Sequence, residues 1–358
     1  MHKRIPRLIV MVGLSASGKS SYAKELEKEN PTNTIVISSD AIREEICGRV
    51  EDQSKNGEVF RIFHERIRRN IEKKKDVIAD ATNITIKSRR AILSCVNGLD
   101  VYKECCIMSK QFAGCLEDNK DREHSVPEDV LRKQLHRFQI PFYEEGWERI
   151  LIIPCSNQSP LCEKVTISVL FSLMYQFNQK NPHHNKTLDE HCMEASNAFC
   201  KVLGIKSPLL RCIEPFSSGA TLHDIGKVFT QTIDGNGIAH YYGHAEVGSY
   251  LVLTKLIDPI NLNGSRYILD CCFLINYHML PFGWNSEKSI RKWRRIFGED
   301  KFKILRSFHQ CDIARDKAKK DRRCFLRLGY SKACRWNKRV CVERILKRAK
   351  SGDSYGEI

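Results

Sequence analysis

At 358 residues the chain has room for two domains of ordinary size, each with its own core. Hydrophobic residues make up 42% and charged residues 28%, a balance that excludes a chain disordered through its bulk. No apolar run approaches the roughly 20 residues that cross a bilayer, and 8–12 is too short for a signal-peptide core, so a soluble cytoplasmic protein with no membrane partner is expected.

In chain order, apolar β-rich runs at 7–12, 33–38, 76–80, 101–108 and 149–154 alternate with helical patterns that include 20–29, 60–74 and 127–137. The runs are too apolar to alternate inside and out, as in strands buried on both faces of a parallel sheet. The β-α-β-α order predicts an α/β three-layer domain over 1–155. A short polar stretch at 155–160 reads as a linker. Beyond it the β-rich runs disappear. Helical patterns broken by turns at 181–182, 234–237 and 281–283 predict an all-α domain over 162–316, followed by a basic helical tail over 317–358. The 16 cysteines include the adjacent pairs Cys105–Cys106 and Cys271–Cys272 and no C-x-x-C, so reduced thiols are expected rather than a disulfide framework or a zinc site.

The first β-run leads into Gly13-Leu-Ser15-Ala-Ser17-Gly18-Lys19-Ser20, which fits G-x-x-x-x-G-K-[ST] at every place and opens a helix beginning Ser20-Ser21. Glycines let backbone N–H groups turn inward around phosphates, and the helix N-terminus adds partial positive charge. Lys19 is placed to bridge β- and γ-phosphates and Ser20 to hold Mg²⁺, so the expected cofactors are ATP and Mg²⁺. The second run ends in Asp40, with Arg43 three residues on. At the mouth of a parallel sheet that carboxylate can take a proton from an attacking hydroxyl, and the guanidinium can hold an acceptor phosphate. An Asp before a helix can equally serve as an N-cap. The third run ends in Asp80, followed by Asn83, and Arg122 precedes a loop-to-helix junction at Val126-Pro127, where it is a candidate lid arginine.

Four blocks, GLSASGKS, SSDAIREEI, VIADATNI with Arg89-Arg90, and NKDREHSVPEDVLRKQ, resemble in order the kinase domain of phage-type polynucleotide kinases. The resemblance implies that Lys19 and Ser20 handle ATP and Mg²⁺, with Gly13, Ser15, Ser17, Gly18 and Ser21 around the nucleotide. It makes Asp40 the general base on a 5′-hydroxyl, Arg43 a contact to the acceptor, and Arg122 part of the lid.

In the second half the adjacent His223-Asp224 can offer one metal an imidazole nitrogen and a carboxylate oxygen. Further ligands must come from elsewhere, and His191, His240, His244, His278 and Asp312 are available. The run from NPHHNKTLDEH through LHDIGK to HYYGHAEVG resembles the HD family of metal-dependent phosphohydrolases, especially the HD domain attached to some tRNA nucleotidyltransferases. That resemblance implies an all-α HD domain with His191, His223, Asp224 and Asp312 as ligands, and His244 and His278 as the extra ligands of two-metal members. The metal is expected to be a divalent transition ion (Mn²⁺, Ni²⁺, Co²⁺ or Zn²⁺), which lowers the pKa of bound water and neutralises phosphate charge. Lys227 can add positive charge at the phosphate, or serve only as a helix-end cation.

The formal net charge of +16 is concentrated at 315–350, where 15 Lys and Arg face three acids and Phe325, Tyr330 and Trp336 are interleaved. Such a segment suits a phosphate backbone with rings for unpaired bases. Together the halves read as a bifunctional end-healing enzyme acting on RNA ends, with a separate RNA ligase as a partner that such ends would suit. One half adds a 5′-phosphate and the other removes a 3′-terminal phosphate. The D-x-D-x-T signature of the phage-type phosphatase is absent, so any phosphatase activity falls to the HD-like half. Two other readings stay open at this level: a nucleotide-metabolism enzyme with a small-molecule kinase and an HD nucleotidase, and an ATP-binding regulator with a non-catalytic HD domain.

Overall fold

The computed structural model describes residues 4–154, 166–181, 186–207, 214–256 and 265–316. The proposed linker at 155–160 and the basic tail with Phe325, Tyr330 and Trp336 lie outside the described residues. The chain divides into two compact units, one within Met1–Lys164 plus Tyr250–Ser265, the other within Val165–Ser249 plus Arg266–Ile358. The sequence places 250–256 in the second domain; by their contacts these residues group with the first unit.

In the first unit, β1 (Arg7–Val12), β2 (Thr34–Ser38), β3 (Asp76–Asp80), β4 (Tyr102–Met108) and β5 (Arg149–Ile153) form one sheet in the order β2-β3-β1-β4-β5. Every pairing is parallel. The helices are α1 (Lys19–Glu29), α2 (Ser39–Cys47), α3 (Asn56–Glu72), α4 (Ile86–Cys95), α5 (Phe112–Lys120) and α6 (Glu128–Leu135). The chain leaves the central β1 leftwards and later returns rightwards. Right-handed crossovers therefore put α1 on one face and the following helices on the other. Ala23, Tyr22 and Leu26 of α1 accordingly pack on Ile9, Met11, Ile78 and Cys106, while α3 lies against β3 and β2. This is the expected α/β three-layer parallel-sheet domain, with each strand found to within a residue or two of its sequence position. The C-terminal strand ends line up along one edge, where the loops carrying Gly13–Ser20, Asp40 and Asp80 emerge, the usual position of ligands in open α/β sheets.

The second unit is helical, with α7 (Ile167–Ser172), α8 (Leu188–Leu203), α9 (Pro215–Thr221), α10 (Lys227–Thr230), the first half of α11 (His244–Lys255), which runs on into the first unit from Tyr250, α12 (Ser265–Tyr277) and the long α13 (Glu287–Asp316), kinked at Gly298. Against the all-helical expectation it also contains a two-stranded antiparallel hairpin, β6 (Thr232–Ile233) and β7 (Ala239–His240). The turn expected at 234–237 is the turn of this hairpin. Asp234 accepts from the N–H groups of Asn236 and Ile238 and so closes it. The strands are two residues each, too short for a periodic signal. α8 packs against α9 and α13, and Phe199 meets Phe308 edge-on at 5.3 Å.

Candidate active sites

At the first edge, β1 runs straight into the glycine loop because Leu8–Val12 is buried and cannot turn earlier. A Cβ on Gly13 would meet Ser17 Oγ at 2.5 Å and Met108 Cβ at 3.1 Å, so a larger residue would crowd the loop against β4 and displace the Ser17 side chain. Lys19 Nζ donates to Leu14 O at 2.6 Å, which pins the lysine across the loop. Ser20 Oγ donates to Asp80 Oδ2 at 2.7 Å, so the hydroxyl expected at Mg²⁺ already has a carboxylate beside it. Burial pushes Lys19 below the ordinary ammonium range, though Asp80 and Asp40 support its charge. Burial pushes the Asp80 carboxyl up, against the opposing pull of Ser20 and Lys19. Ser17 Oγ is buried with no partner. Among loop residues of the sequence reading, Ser15 is half-buried and Ser21 is exposed on the first turn of α1.

Asp40 is not the N-cap of α2. Ser38 caps it, accepting from Ala41 N, and Asp40 sits in the first turn. Its side chain is 54% exposed and its Oδ1 accepts from Arg43 Nη1 at 2.8 Å, which leaves Oδ2 open to a hydroxyl donor. Arg43 is almost fully buried, donates also to Asn56, and keeps its Nε without a partner. Arg122 is exposed and forms no ion pair among the described residues, yet its charge acts on both Lys19 and Asp80. The turn that bears it is closed by Asn119, whose amide exchanges two hydrogen bonds with Val126. Gln134 was not legible from sequence: from α6 it accepts from Ser15 N at 2.8 Å and donates to Ser15 Oγ at 2.9 Å. No motif flags such a glutamine, because it acts only where two segments 119 residues apart meet.

In the second unit, five elements bring His191, His223, Asp224, His244, His278 and Asp312 together, all of them buried. His191 comes from α8, His223-Asp224 from the turn after α9, His244 from the start of α11, His278 from the end of α12 and Asp312 from α13. Asp224 lies between two groups. Its Oδ2 is 3.5 Å from His191 Nε2 and 3.3 Å from His223 Nε2, which also lie 3.2 and 3.5 Å from Asp312 Oδ1. Its Oδ1 is 3.1 Å from His244 Nε2 and 3.4 Å from His278 Nε2. The backbone approach that permits this is at Gly226, where a Cβ would meet His244 O at 1.9 Å.

The donor set fits a divalent cation. His223, His244 and His278 each direct Nδ1 at the carbonyl three residues upstream, at 2.9, 2.8 and 2.7 Å. A carbonyl only accepts, so Nδ1 carries the proton, and the neutral rings present Nε2 lone pairs to carboxylate oxygens. His223 Nε2 and Asp312 Oδ1 are buried without hydrogen-bond partners, and the Nε2 atoms of His244 and His278 stand 3.3 Å apart. Convergent lone pairs of this kind call for positive charge among them. Without a metal that role falls to protons. Burial opposes charge on His223, but Cys192, Asp224 and Asp312 carry its pKa well above the ordinary value, and the Asp312 carboxyl is held well below its own. Among the described residues, three donor groups can surround an ion: His191/His223/Asp312, Cys192/His223/Asp224 and Asp224/His244/His278. Cys192 is an addition to the expected set; its position beside His191 was the only sequence signal. Lys227 is not a solvated helix-end cation. Its Nζ is buried 2.7 Å from Asp224 Oδ2 and 3.0 Å from Gln179 Oε1. His240 stands outside the cluster and pairs with Asp234 at 3.0 Å.

Residues 8–141 match a family described as an AAA domain, AAA_33. Over 144 residues, 39% of this chain and 56% of the relative, it is 25% identical to L-seryl-tRNA(Sec) kinase of Methanococcus maripaludis. Over 156 residues, 39% of this chain and 54% of the relative, it is 28% identical to Protein kti12 of Schizosaccharomyces pombe. The N-terminal region is a P-loop kinase-like domain. The chain spans about half the length of these curated relatives. Among solved structures, similarity extends to the Pnkp1/Rnl/Hen1 RNA repair complex, at 16% identity and a TM-score of 0.32 over 37% of this chain and 43% of that one. It also extends to a gluconokinase from Sinorhizobium meliloti 1021, at 20% identity and a TM-score of 0.32 over 43% and 85%. No helix among the described residues is long and apolar enough to cross a membrane.

Proposed function

We propose that the chain heals RNA ends: the first unit transfers the γ-phosphoryl group of ATP to a 5′-hydroxyl, and the second, an HD-type metal phosphohydrolase, removes a 3′-terminal phosphate. What carries this reading is one chain holding both an Asp40–Arg43 pair at the P-loop crevice and a carboxylate, Asp224, shared between two histidine pairs.

In the first unit, Arg43 fixes one oxygen of Asp40 and leaves the other to take the proton of the attacking hydroxyl. The acceptor contact expected of Arg43 falls to a guanidinium that is buried beside Asp40 and held there by Asp40 and Asn56. Lys19 and the backbone N–H groups of the loop hold the donor phosphates, Ser20 and Asp80 offer oxygens to Mg²⁺, and Arg122 neutralises charge from the lid. In the second unit, His191, His223, Asp224, Asp312, His244 and His278 would hold one or two divalent transition ions, which supply charge neutralisation and a bound water of lowered pKa. The backbone carbonyls at the three Nδ1 atoms keep the rings oriented, and Lys227 offsets the charge of Asp224.

Labelled γ-phosphate from ATP should appear on a 5′-hydroxyl oligoribonucleotide. Asp40→Asn should cut that rate about 10²- to 10⁴-fold with ATP binding retained. Phosphate should be released from a 3′-phosphorylated oligoribonucleotide, and Asp224→Ala should abolish this release while leaving the kinase intact. If no label transfers to the oligoribonucleotide, the polynucleotide-kinase assignment is wrong; if the parent releases no phosphate, the healing model is wrong. The relative named L-seryl-tRNA(Sec) kinase favours a second acceptor, the hydroxyl of a seryl group carried on tRNA. Label on seryl-tRNA and none on the oligoribonucleotide would select it.

A further inference from the structure

The first eleven residues of α13, before the kink at Gly298, hold five cations and a single acid. Lys288, Arg291, Lys292 and Arg295 recur at i, i+3, i+4 and i+7, which sets them on one face of the helix, and all four are exposed. The opposite face is fixed to the fold. Ile296 and Phe297 are buried, Trp293 stacks on Phe297 at 5.0 Å, and Phe297 meets Phe273 of α12 edge-on at 5.2 Å. The stripe is thus held outward on a rigid element.

Its cations are poorly compensated. Arg291 reaches the exposed Glu287 only at 3.6 Å, Lys292 lies over the neighbouring Trp293 ring, and neither Lys288, Lys292 nor Arg295 pairs with an acid among the described residues. Like charges at this spacing repel, and cations in the first turns of a helix oppose its dipole. The arrangement costs the helix stability unless an anion lies along it. Four cations spread over two helical turns suit a row of phosphates better than a single anion.

We propose that Lys288, Arg291, Lys292 and Arg295 form a docking surface for the phosphate backbone of an RNA strand, on the helical segment before Gly298, beyond which the chain continues into the segment that carries Asp312. The choice of RNA rests on the function proposed above; the surface itself does not.

Binding of a single-stranded oligoribonucleotide to the full chain tests it, measured over a range of salt concentrations. Each phosphate contact on a single strand contributes about 0.7 to the slope of log affinity against log salt. The K288A/R291A/K292A/R295A variant should therefore show a slope shallower by about 3 and bind roughly tenfold or more weakly at low salt. R291K/R295K, which keeps the charge, should follow the parent. If the fourfold variant does not melt like the parent, K288A/K292A replaces it, with an expected slope change of about 1.4. Unchanged slope and affinity would overturn the proposal, as would stripe-dependent capture of phosphatidylserine vesicles with RNA binding unaffected. Release of phosphate from a ribonucleoside 3′-phosphate, which has no strand to lie on the stripe, should be the same in variant and parent. If the parent releases no phosphate but binds RNA through the stripe, the hydrolase reading fails and the surface stands. If release from the oligoribonucleotide is equal in both proteins and binding is unchanged, the surface fails and the hydrolase reading stands.

Discussion

Gly226→Ala is the sharpest perturbation of the histidine cluster, because it adds one methyl group where there is no room. Gly226 has φ −63° and ψ −19°, ordinary helical values, so alanine brings no backbone strain. The whole effect is steric. The added Cβ would stand 1.9 Å from His244 O and 2.8 Å from Gly248 N, where ordinary contact begins at 3.4 Å. The turn and the first turn of α11 must therefore separate by about 1.5 Å. Both obstructing atoms are backbone, so no side chain can rotate away, and the cost belongs at the upper end of overpacking, about 3 kcal/mol. For a unit of this size that is a fall in melting temperature of roughly 6–12 °C. The displaced segment carries His244, so the half of the site made by Asp224 Oδ1, His244 and His278 should loosen while His191, His223 and Asp312 stay together. Scanning calorimetry and metal content by mass spectrometry after dialysis read the two effects. The variant should melt lower and retain less metal than the parent. Gly248→Ala, with its nearest contact at 2.9 Å, should be milder, and Gly235→Ala, with nothing within 4 Å, neutral. A Gly226→Ala protein that melts and binds metal like the parent would refute the close approach and the shared site built on it.

Arg89→Met should destabilise the first unit by about 3–5 kcal/mol, measured by urea unfolding, because it strands the fully buried Glu145 that Arg89 grips at 2.6 and 2.8 Å. Asp80→Ala should raise the Mg²⁺ concentration needed for half-maximal kinase activity, since Ser20 loses the carboxylate beside it; an unchanged Mg²⁺ requirement would remove Asp80 from the site. Burial lifts the Glu214 carboxyl from 4.5 to about 7. The folded state then holds its proton more tightly than the unfolded chain, so stability falls as pH rises from 4.5 to 7, by an amount on the order of 3 kcal/mol. Glu214→Gln keeps an acceptor for Ser217 N and should flatten that fall, raising the melting temperature at pH above 7 relative to the parent.

The sequence by itself determined most of the first unit. Five strands buried on both faces leave long apolar runs, and Gly13–Ser20 is a contiguous loop whose chemistry depends on neighbours in the chain, so both were visible without coordinates. The histidines and aspartates of the second unit were likewise legible as candidates. What only the tertiary structure decided is how separated residues meet. The sequence allowed Asp40 as the cap of α2, and only the structure showed that Ser38 fills that place. The sequence allowed Lys227 as a solvated helix-end cation, and only the structure put its Nζ, buried, on Asp224. Gln134 on Ser15, and Asp224 set between two histidine pairs, leave no local pattern at all. Local spacing reports contacts within a turn of helix or a step of strand. The approach of α11 to Gly226, which assembles the shared site, depends on a missing side chain fitting a backbone eighteen residues away, and no periodicity encodes that.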